Sequence, residues 1–487
     1  MGIDRRNFLR IVGATGVGAM LPNMVKGEQS FINENQSSPK NLKKIYKEAY
    51  KKHPQKFNMC GYAAPKLDTV RIGFVGVGNR GGAAVQRMSL IDGVQIVGIC
   101  DFSDETAKKA KERIKTPGHP AVIYSGKEDS FKEMCQRDDI DLIYVATSWD
   151  WHTPVGLYGM NQGKHVAIEV PAAKTVEECW ALVETSERTK KHCVILENCC
   201  YDFFELLTLN LARNGFFGEI IHGEGGYIHD IGKTLFFRNK PGHGWRLKEN
   251  SQRNGSLYPT HGVGPVGQIM NLNRGNQMDY MVSMSSNDFM MNEYAKELSK
   301  DDEVFRQYID APFRGNMNSS IVRTVKGQTI LMQHDVTSPR PYSRLHTISG
   351  TKAFAQKYPL DPGPRIAIGN GKWITEAEMK ELEDKYNPPI ITKMQSIAKE
   401  IGGHGGMDFL MDWRMIDCLR NGLPMDMDVY DAASWSVIGP LSEWSVANRS
   451  APIDIPDFTN GSWKNNQPHD ISLQKGGDTR VREDINL

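Results

Sequence analysis

The sequence predicts an α/β protein in two parts: a doubly wound parallel sheet, then an α+β region with an open-faced, mostly antiparallel sheet. In the first part, short apolar runs alternate with helical patterns, which is the order of a parallel sheet with crossover helices. From about Tyr201 the strand patterns are longer and rich in β-branched and aromatic residues, as in EIIHGEGGYIHD, MDYMVSMSS, SSIVRTVKGQTILMQHD and SRLHTISGTKAFAQK. Residues 378–386 and 407–421 are predicted helices.

The first strand–turn–helix–strand unit ends at Asp101. Its opening run VRIGFV predicts a buried parallel strand, because Arg71 is the only charge. Gly76, Gly78 and Gly81 follow with G-x-G-x-x-G spacing, which permits a tight turn, close approach to a pyrophosphate and close helix–strand packing. Asp101 ends the second strand, where a carboxylate accepts hydrogen bonds from ribose hydroxyls and repels a 2′-phosphate. The unit predicts NAD rather than NADP; a purely structural glycine turn is the alternative.

Further alternating elements complete the first part. Ser103 is a predicted N-cap, and the stretch from Ser148 to His152 is predicted as a loop at the carboxyl edge of the sheet, where ligands bind in such folds. In order, the predicted elements are a helix at SDETAKKAKERIK, a strand at AVIYSG, a helix at DSFKEMCQRDD, a strand at DLIYVAT, a helix at HTPVGLYGMNQG, a strand at KHVAIEVP, a helix at VEECWALVETSERTKKH and a strand at CVILEN.

Composition excludes several classes of function. With 487 residues, 39% hydrophobic and 24% charged, the chain is an ordinary globular protein with room for two or three domains. A net charge of +1 argues against a partner bound by charge alone, so no nucleic acid is expected. The eight cysteines show no zinc-ribbon spacing, and no H-x-x-x-H or C-x-x-C pair falls in a plausible site. No metal site is therefore predicted.

The N-terminus contains a predicted export signal. Arg5 and Arg6 precede the weakly apolar run IVGATGVGAML, which resembles a twin-arginine export signal and is too short and glycine-rich for a stable membrane anchor. A bacterial periplasmic location is predicted; a basic cytoplasmic N-terminus is the alternative. The predicted parts are a twin-arginine signal segment (1–30), a linker with a short helix (31–67), an NAD-binding Rossmann domain (68–198), a substrate and catalytic α+β domain (199–458) and a surface tail (459–487).

Several motifs carry a family resemblance. VGVGNRGG, VATSWDWHTPV, GKHVAIEVP and MDVYDAASWSVIGPLSEWSVANRS resemble the Gfo/Idh/MocA family over roughly residues 70–450. Within it, HGEGGYIHD, QRNGSLYPTHGVGPV and DVTSPRPYSR resemble glycoside hydrolase family 109, whose members are NAD-dependent α-N-acetylgalactosaminidases. Many sugar dehydrogenases of the wider family have Glu-Lys-Pro where this chain has Glu169-Val170-Pro171. A dehydrogenase acting through that lysine is therefore in doubt.

The resemblance also implies site residues. With the three glycines of the turn, the implied cofactor-binding residues are Asn79, Arg80, Asp101, Trp149, Asp150, Trp151, His152, Glu169, Val170 and Asn198. The implied substrate-binding residues are Tyr227, Arg246, Tyr258, Pro259, Thr260, His261 and Tyr342, and the implied catalytic residues are His261, Tyr227, Tyr258 and His229. Glu197, at the end of the CVILEN strand, is a further residue that could face this site.

The implied reaction is hydrolysis through oxidation at sugar C3, deprotonation at C2, elimination of the aglycone, addition of water and re-reduction. Most glycosidases instead use two carboxylates. His261 and Tyr227 are the expected proton-transfer pair, with the base at C2 left open, and Arg246 either stabilises an enolate or holds the N-acetyl carbonyl. The alternatives are an NAD-dependent sugar oxidoreductase with net redox turnover and a sugar-binding protein that retains NAD. A homo-oligomer is possible through exposed sheet edges.

Overall fold

The computed structural model of the protein describes residues 38–236 and 244–482. The export signal predicted for residues 1–30 lies outside these residues. Among the helices that are described, none is both long and apolar enough to cross a membrane. Within the described residues of the predicted linker, Pro39–Ala49 is helical and the following segment is packed: the His53 ring stacks on Trp180 with 4.1 Å between centroids, and Met59 is buried.

A parallel sheet forms the first part of the described chain. Its strands are β1 (Val70–Val75), β2 (Val94–Cys100), β3 (Val122–Tyr124), β4 (Leu142–Val145), β5 (His165–Ile168) and β6 (Cys193–Ile195). Their order, β3-β2-β1-β4-β5-β6, is that of a dinucleotide-binding fold. Helix α1 (Pro39–Ala49) precedes the sheet, and α2 (Asn79–Ser89), α3 (Asp104–Glu112), α4 (Ser130–Cys135), α5 (Trp149–Asn161) and α6 (Val176–Thr189) connect its strands. The predicted strands and their parallel order are confirmed.

The sequence explains these elements locally. β1 and β4 are apolar and buried along almost their whole length, as expected for strands covered on both faces. Ser103 caps α3 as predicted, because its hydroxyl accepts a hydrogen bond from Thr106 N–H at 3.2 Å. The predicted loop from Ser148 to His152 is wrong, since α5 already begins at Trp149. Pro154 lies inside this helix, where proline removes a backbone hydrogen bond, so the local pattern favours a later start.

A second sheet forms the later part, with strands β7 (Ile220–Ile228), β8 (Met278–Ser285), β9 (Asn318–Thr324), β10 (Thr329–Asp335), β11 (Ser343–Gly350), β12 (Ala353–Gln356), β13 (Arg365–Ile368), β14 (Lys372–Trp373) and β15 (Ile453–Asp454). The order is β14-β13-β12-β11-β7-β10-β9-β8-β15. β7 and β10 are parallel and the other neighbours are antiparallel. The predicted α/β class with a mostly antiparallel second sheet is confirmed.

Ten helices belong to this later part of the described chain: α7 (Phe203–Arg213), α8 (Gly232–Leu235), α9 (Gly244–Gln252), α10 (Thr260–Ile269), α11 (Met291–Leu298), α12 (Glu376–Tyr386), α13 (Pro389–Ile401), α14 (Met407–Asn421), α15 (Val429–Ser436) and α16 (Ile438–Ala447). Short 3₁₀ turns occupy Asn198–Tyr201, Glu303–Tyr308, His404–Gly406 and Ser462–Lys464. The predicted helix at 407–421 is confirmed at both ends. The helix predicted at 378–386 begins two residues earlier, because Thr375 forms a capping box with Glu378.

Helix α14 returns to the first sheet through buried ion pairs. Arg87 of α2 donates a hydrogen bond to Asp412 of α14 at 2.9 Å, with both side chains buried. The described part of the tail lies mostly on the surface, as predicted, but a few buried residues anchor it: Trp413 Nε1–H donates to the Thr479 carbonyl at 3.0 Å. Val481 pairs with Ile91 in an isolated β-bridge. The domain limits predicted at 67, 198 and 458 stay a prediction.

Helix α10 lies directly against strand β7 because both carry glycine at the contact. A Cβ added to Gly225 would lie 2.3 Å from the Gly262 carbonyl oxygen, and one added to Gly262 would lie 2.6 Å from Gly226 N. A Cβ on Gly223 would lie 2.5 Å from Val266 Cγ1. The glycines of HGEGGYIHD and YPTHGVGP therefore permit backbone-to-backbone packing, which sets the distance between the helix and the strand.

We expect Gly262→Ala to lower the free energy of unfolding by about 1–3 kcal/mol, because overpacking at this contact must push α10 away from β7. Thermal unfolding of the purified variant measures this loss. Gly439→Ala is the matched control. A Cβ added to that helical glycine would lie 3.6 Å from the nearest atom, the Ser256 carbonyl oxygen, which is an ordinary contact distance. Equal melting temperatures for the two variants would show that the glycine contact does not constrain the packing.

Candidate active site

A cavity of about 450 Å³ opens at the carboxyl edge of the parallel sheet. It lies where β1, β4 and β5 end and where β7, α9 and the turn before α10 approach them. Thirteen of the predicted site residues line it: Gly76, Gly78, Asn79, Arg80, Asp101, Trp149, His152, Glu169, Val170, Tyr227, His229, Arg246 and Tyr258. Thr106, Ala146, Thr147, Ser148, Ile231 and Trp245 complete the lining.

A larger cleft of about 670 Å³ lies beside α1, α6 and α9. None of the predicted site residues lines it, and its charged groups are paired with one another. Lys174 contacts Glu249 at 2.9 Å, and Arg253 contacts Glu443 at 2.5 Å. This cleft has the larger volume, but the glycine turn and the predicted titratable side chains line the smaller cavity. The smaller cavity is therefore the candidate active site.

The glycine turn forms one end of this cavity. Gly76 has φ of +80°, and a Cβ added to Gly81 would lie 1.9 Å from the Gly76 carbonyl oxygen. The turn therefore closes tightly at the N-terminus of α2. Asp101 accepts hydrogen bonds from Val77 N–H and Ser103 N–H, both at 2.9 Å, so its carboxylate is fixed at the end of β2. This geometry fits a dinucleotide whose diphosphate lies at the helix N-terminus and whose ribose reaches Asp101.

The first turn of α5 contributes only alternate side chains to the cavity. Trp149 and His152 line it, and the His152 ring lies between the carbonyl oxygens of Pro171 and Thr147, at 2.8 and 3.1 Å. Burial lowers the pKa of His152. Asp150 and Trp151, predicted to bind the cofactor, do not line the cavity, because successive residues of a helix point in different directions.

Asp150 forms ion pairs with Lys174 and, at 3.6 Å, with Lys248. Trp151 packs edge-on against Phe131 with 6.0 Å between centroids. Neither position supports a direct cofactor contact. Trp149, in contrast, packs against Trp245 and Tyr258 at 4.8 and 5.8 Å, and these rings form one wall of the cavity.

Arg80 joins three parts of the chain at the cavity. Its Nε donates to Glu169 Oε1 at 2.6 Å and its Nη1 donates to Asp408 Oδ2 at 2.7 Å. Asn198, predicted as a cofactor residue, is buried behind the cavity and donates to Asp408 Oδ1 at 2.5 Å. Asn198 therefore acts on Arg80 through Asp408 and does not line the cavity.

The opposite end of the cavity is aromatic. The rings of Tyr227 and Tyr258 are 4.6 Å apart, and His261 lies 5.3 and 4.8 Å from them. The Tyr227 hydroxyl is 3.0 Å from His229 Nδ1, and His229 lies 5.2 Å from Tyr342. The predicted catalytic residues are thus brought together. His261 and Tyr342 do not line the cavity themselves but contact residues that do.

Burial shifts the pKa values of Tyr258 and His229. It raises the pKa of Tyr258 well above the usual value, and it lowers the pKa of His229, with Arg246 as the next cause. Pro259 and Thr260, predicted to bind substrate, form the start of α10 and lie outside the cavity lining. Their role is to place Tyr258 and His261 on either side of one turn.

Arg246 is a cation available to a ligand. Its guanidinium carbon lies 5.1 Å from the centre of the Trp245 ring and 5.5 Å from that of Tyr258. Within the described chain, no carboxylate oxygen is within 4 Å of its guanidinium nitrogens. A guanidinium without a carboxylate partner in a cavity can bind a carbonyl or a developing oxyanion.

Glu197 forms a hydrogen-bonded pair with His261. Its Oε1 is 2.7 Å from His261 Nδ1 and also accepts Cys199 N–H at 3.1 Å. The side chain is fully buried. Burial alone would raise the pKa of Glu197, but the His261 ring beside it holds that pKa below its usual value. The carboxylate therefore fixes the orientation of the ring and leaves Nε2 for proton transfer.

Possible metal ligands also meet here. Ligand atoms of Glu197, Cys199 and His261 lie within 4.8 Å of one another. Burial raises the pKa of Cys199 well above its usual value, which keeps the thiol protonated, and a metal ligand must be a thiolate. Glu197 and His261 already use these atoms in a direct hydrogen bond. This arrangement favours a carboxylate–histidine pair, and the expectation of no metal stays a prediction.

Of two further contributors to the site, the sequence indicated Glu197 only as a residue that could face it and gave no indication of Asp408. Glu197 ends the segment after β6, at the carboxyl edge where a charged residue in an otherwise apolar strand is a usable signal. Asp408 is 328 positions from Arg80, and a lone aspartate at the start of a helix carries no signal of that contact. Only the fold brings α14 to the cavity.

Two family models match the chain. Residues 70–197 match the oxidoreductase family with an NAD-binding Rossmann fold. Residues 201–465 match the C-terminal domain of glycosyl hydrolase 109. The first match covers the parallel sheet and the second covers all strands of the larger sheet, and residues of both matched regions line the cavity.

Named relatives match along most of their length. An α-N-acetylgalactosaminidase of Bacteroides fragilis (strain ATCC 25285) is 47% identical over 420 residues, covering 85% of this chain and 97% of the relative. A glycosyl hydrolase family 109 protein of Solibacter usitatus (strain Ellin6076) is 41% identical over 473 residues, covering 96% and 99%. Among solved structures, levoglucosan dehydrogenase in complex with NADH has a TM-score of 0.60 at 15% identity, over 80% of this chain and 100% of that one. The last similarity shows the fold.

Proposed function

Because the chain belongs to glycosyl hydrolase family 109, we propose that it is an NAD-dependent glycosidase that releases terminal α-linked N-acetylgalactosamine from glycans. One observation carries the proposal. A dinucleotide turn and a cluster of Tyr227, Tyr258, His261 and Arg246 face the same 450 Å³ cavity or contact its lining. Redox chemistry and proton transfer can therefore act on one sugar.

The residues present fit NAD. The glycine turn closes tightly at the N-terminus of α2 and lines the cavity through Gly76 and Gly78, and Asp101 is fixed where an adenosine ribose would reach it. Asn79, Arg80, Trp149, His152, Glu169 and Val170 would hold the rest of the cofactor, as they line the same cavity. When bound, NAD⁺ accepts a hydride from sugar C3 and returns it at the end of the turnover.

The chain's own residues move the protons. Removal of a proton from the C3 hydroxyl and of the C2 proton needs two bases, and the paired Tyr227 and His261 supply them. Glu197 fixes the tautomer and orientation of His261, and His229 accepts or donates at the Tyr227 hydroxyl. The Arg246 guanidinium, which has no carboxylate partner among the described residues, binds the oxyanion that follows C2 deprotonation, or the N-acetyl carbonyl.

Val170 argues against net sugar oxidation as the function. Many related dehydrogenases have a lysine at this position, beside the reacting hydroxyl. Here Val170 is buried, and the Lys174 ammonium that follows in sequence is held by Asp150 and Glu249. No lysine lines the described cavity, so proton transfer depends on the tyrosine and histidine cluster.

The decisive experiment uses purified protein without added cofactor and an aryl α-N-acetylgalactosaminide in heavy water. We expect sugar release on resident NAD, with one deuterium retained at C2, because the C2 proton is exchanged with solvent during elimination. Mass spectrometry of the released sugar measures the label.

Three other outcomes would contradict the proposal in distinct ways. Release without deuterium would remove the C2 deprotonation step, and a repeat with sugar deuterated at C2 would then show no isotope effect. Accumulation of NADH without release, once NAD is supplied, would identify a net oxidoreductase. Sugar binding with neither product would identify a binding protein.

Glu197→Gln tests the carboxylate–histidine pair. The substitution keeps the size of the side chain but removes the charge that fixes His261, so we expect kcat to fall by about 100-fold or more. NAD content and melting temperature should stay close to those of the unmodified protein. Steady-state kinetics with the aryl glycoside measures the loss.

Glu187→Gln is the matched control. Glu187 is also a buried glutamate, but it accepts hydrogen bonds from Lys56 N–H and Tyr430 O–H at 2.7 and 3.0 Å, away from the cavity. We expect it to retain kcat. Equal loss in both variants would show that Glu197 has only a structural role.

We further propose export through the twin-arginine route to the periplasm, on the basis of Arg5 and Arg6 before an apolar run. An enzyme that leaves the cytoplasm folded can take NAD with it. The double substitution Arg5→Lys and Arg6→Lys should keep the protein in the cytoplasmic fraction of a bacterial host, as measured by cell fractionation. Unchanged fractionation of the double variant would contradict this route.

A homo-oligomer remains a prediction. The outer face of the larger sheet exposes the apolar side chains of Tyr280, Met284 and Ile321 on β8 and β9. Such a patch on neighbouring strands favours a covered face. The glycan itself is the proposed partner, and the sugars beyond the terminal residue stay unassigned.

A further inference from the structure

Asp408 is a buried carboxylate that the proposed reaction does not use. Its side chain is 2% exposed. Oδ2 accepts hydrogen bonds from Arg80 Nη1 at 2.7 Å and is 2.8 Å from His404 Nδ1, while Oδ1 accepts from Asn198 Nδ2 at 2.5 Å. Arg80 and Asn198 from distant parts of the chain and His404 from one turn earlier thus converge on one carboxylate at the edge of the cavity, and Arg87 Nη1 lies 3.8 Å from its Oδ2.

Arg80 is held in one orientation by this carboxylate and a second one. Nε donates to Glu169 and Nη1 to Asp408. Nη2 makes no hydrogen bond within the described part of the chain, and Arg80 lines the cavity. A guanidinium has five N–H donors in a rigid fork, so fixing two nitrogens also fixes the third. The free Nη2 is therefore a pre-positioned donor for a ligand.

The segment before α14 is shaped to deliver His404 to this carboxylate. Gly402, Gly403, Gly405 and Gly406 have φ between +75° and +106°, and His404 itself has φ of +48°. A Cβ added to Gly403 would lie 2.7 Å from Asp408 Cβ, and one added to Gly406 would lie 2.7 Å from the Ala398 carbonyl carbon. Left-handed backbone at a residue with a side chain is unfavourable and marks a functional constraint.

We propose that Asp408 and His404 are positioning residues for Arg80 that keep NAD bound between turnovers. The proposal rests on the function proposed above, since only an enzyme that returns its hydride needs a cofactor that stays. Burial opposes the charge on Asp408, but Arg80 and His404 hold the pKa of Asp408 well below its usual value, so the carboxylate stays ionised. A buried charge with this set of donors is costly to remove.

Asp408→Asn tests the proposal with a readout that needs no sugar. The protein is loaded with NAD, freed of excess cofactor by rapid gel filtration, and the release of NAD is followed over time by enzymatic assay of the filtrate. We expect release about 10- to 100-fold faster than from the unmodified protein, because a hydrogen bond between charged groups is lost. His404→Ala should change release in the same direction by a smaller factor.

The kinetics should separate positioning from catalysis. With saturating NAD in the assay, Asp408→Asn should keep kcat for the aryl glycoside within a few-fold of the unmodified protein. Without added NAD, it should lose activity during the assay. A large fall in kcat at saturating NAD would overturn the positioning role and make Asp408 part of the chemistry.

Asp412→Asn is the matched control. Asp412 lies one turn further along α14, is fully buried and pairs with Arg87, which also belongs to α2. We expect this variant to melt at a lower temperature but to release NAD at the unmodified rate. Equal release from both variants would overturn the proposal, because any weakening of the contact between α14 and α2 would then suffice.

The same data distinguish failure of this proposal from failure of the proposed function. If the unmodified protein holds NAD but releases no sugar, the assignment as a glycosidase fails while the comparison of NAD release still stands. If Asp408→Asn holds NAD as tightly as the unmodified protein and sugar release proceeds, the positioning role alone fails.

Discussion

The contact between two glycine-containing segments controls the geometry of the cavity. Gly225 on β7 and Gly262 on α10 let two backbones approach until a single methyl group would overlap the opposite carbonyl. At this distance Tyr227, two residues along β7, meets Tyr258 and His261 at the start of α10. Any larger side chain at the contact would push α10 away from β7 and so separate Tyr227 from Tyr258 and His261. The distance between the proposed proton-transfer groups therefore depends on residues that have no side chain.

Buried charges support this arrangement from behind. Asp202 and Glu205, at the start of α7, pair with Arg344 and Lys357 from the second sheet. Burial, with Asp202 beside it, raises the pKa of Glu205 to about 6. Arg344 lies on β11 just after Tyr342, so these pairs anchor the segment whose ring contacts His229. Buried ion pairs contribute little net stability but exclude alternative arrangements when every partner is present.

Local chemistry explains what the sequence could predict and what it could not. The glycine turn and Asp101 were predictable because strand, turn, helix and acid follow each other within one βαβ unit. Asp150 and Trp151 were not, because a loop was expected where α5 begins, and helical periodicity turns both side chains away from the cavity. The position of Glu197 at the end of its strand indicated that it could face the site, but its pairing with His261, 64 positions away, is seen only in the structure. The contact of Asp408 with Arg80 depends on the path of the whole C-terminal region, so no local sequence pattern indicates it.

The two contacts that hold Arg80 relate to the proposed retention of the cofactor. A dehydrogenase with net turnover must exchange its dinucleotide or have it reoxidised by a second substrate in every cycle, whereas an enzyme that returns the hydride gains nothing from release. Arg80 is held at the cavity by Glu169 from the first sheet and by Asp408 from α14. Release of a ligand bound by Arg80 then requires a change in both parts of the chain. An interaction shared by distant segments slows dissociation without adding contacts to the sugar, so retention and catalysis can be adjusted independently.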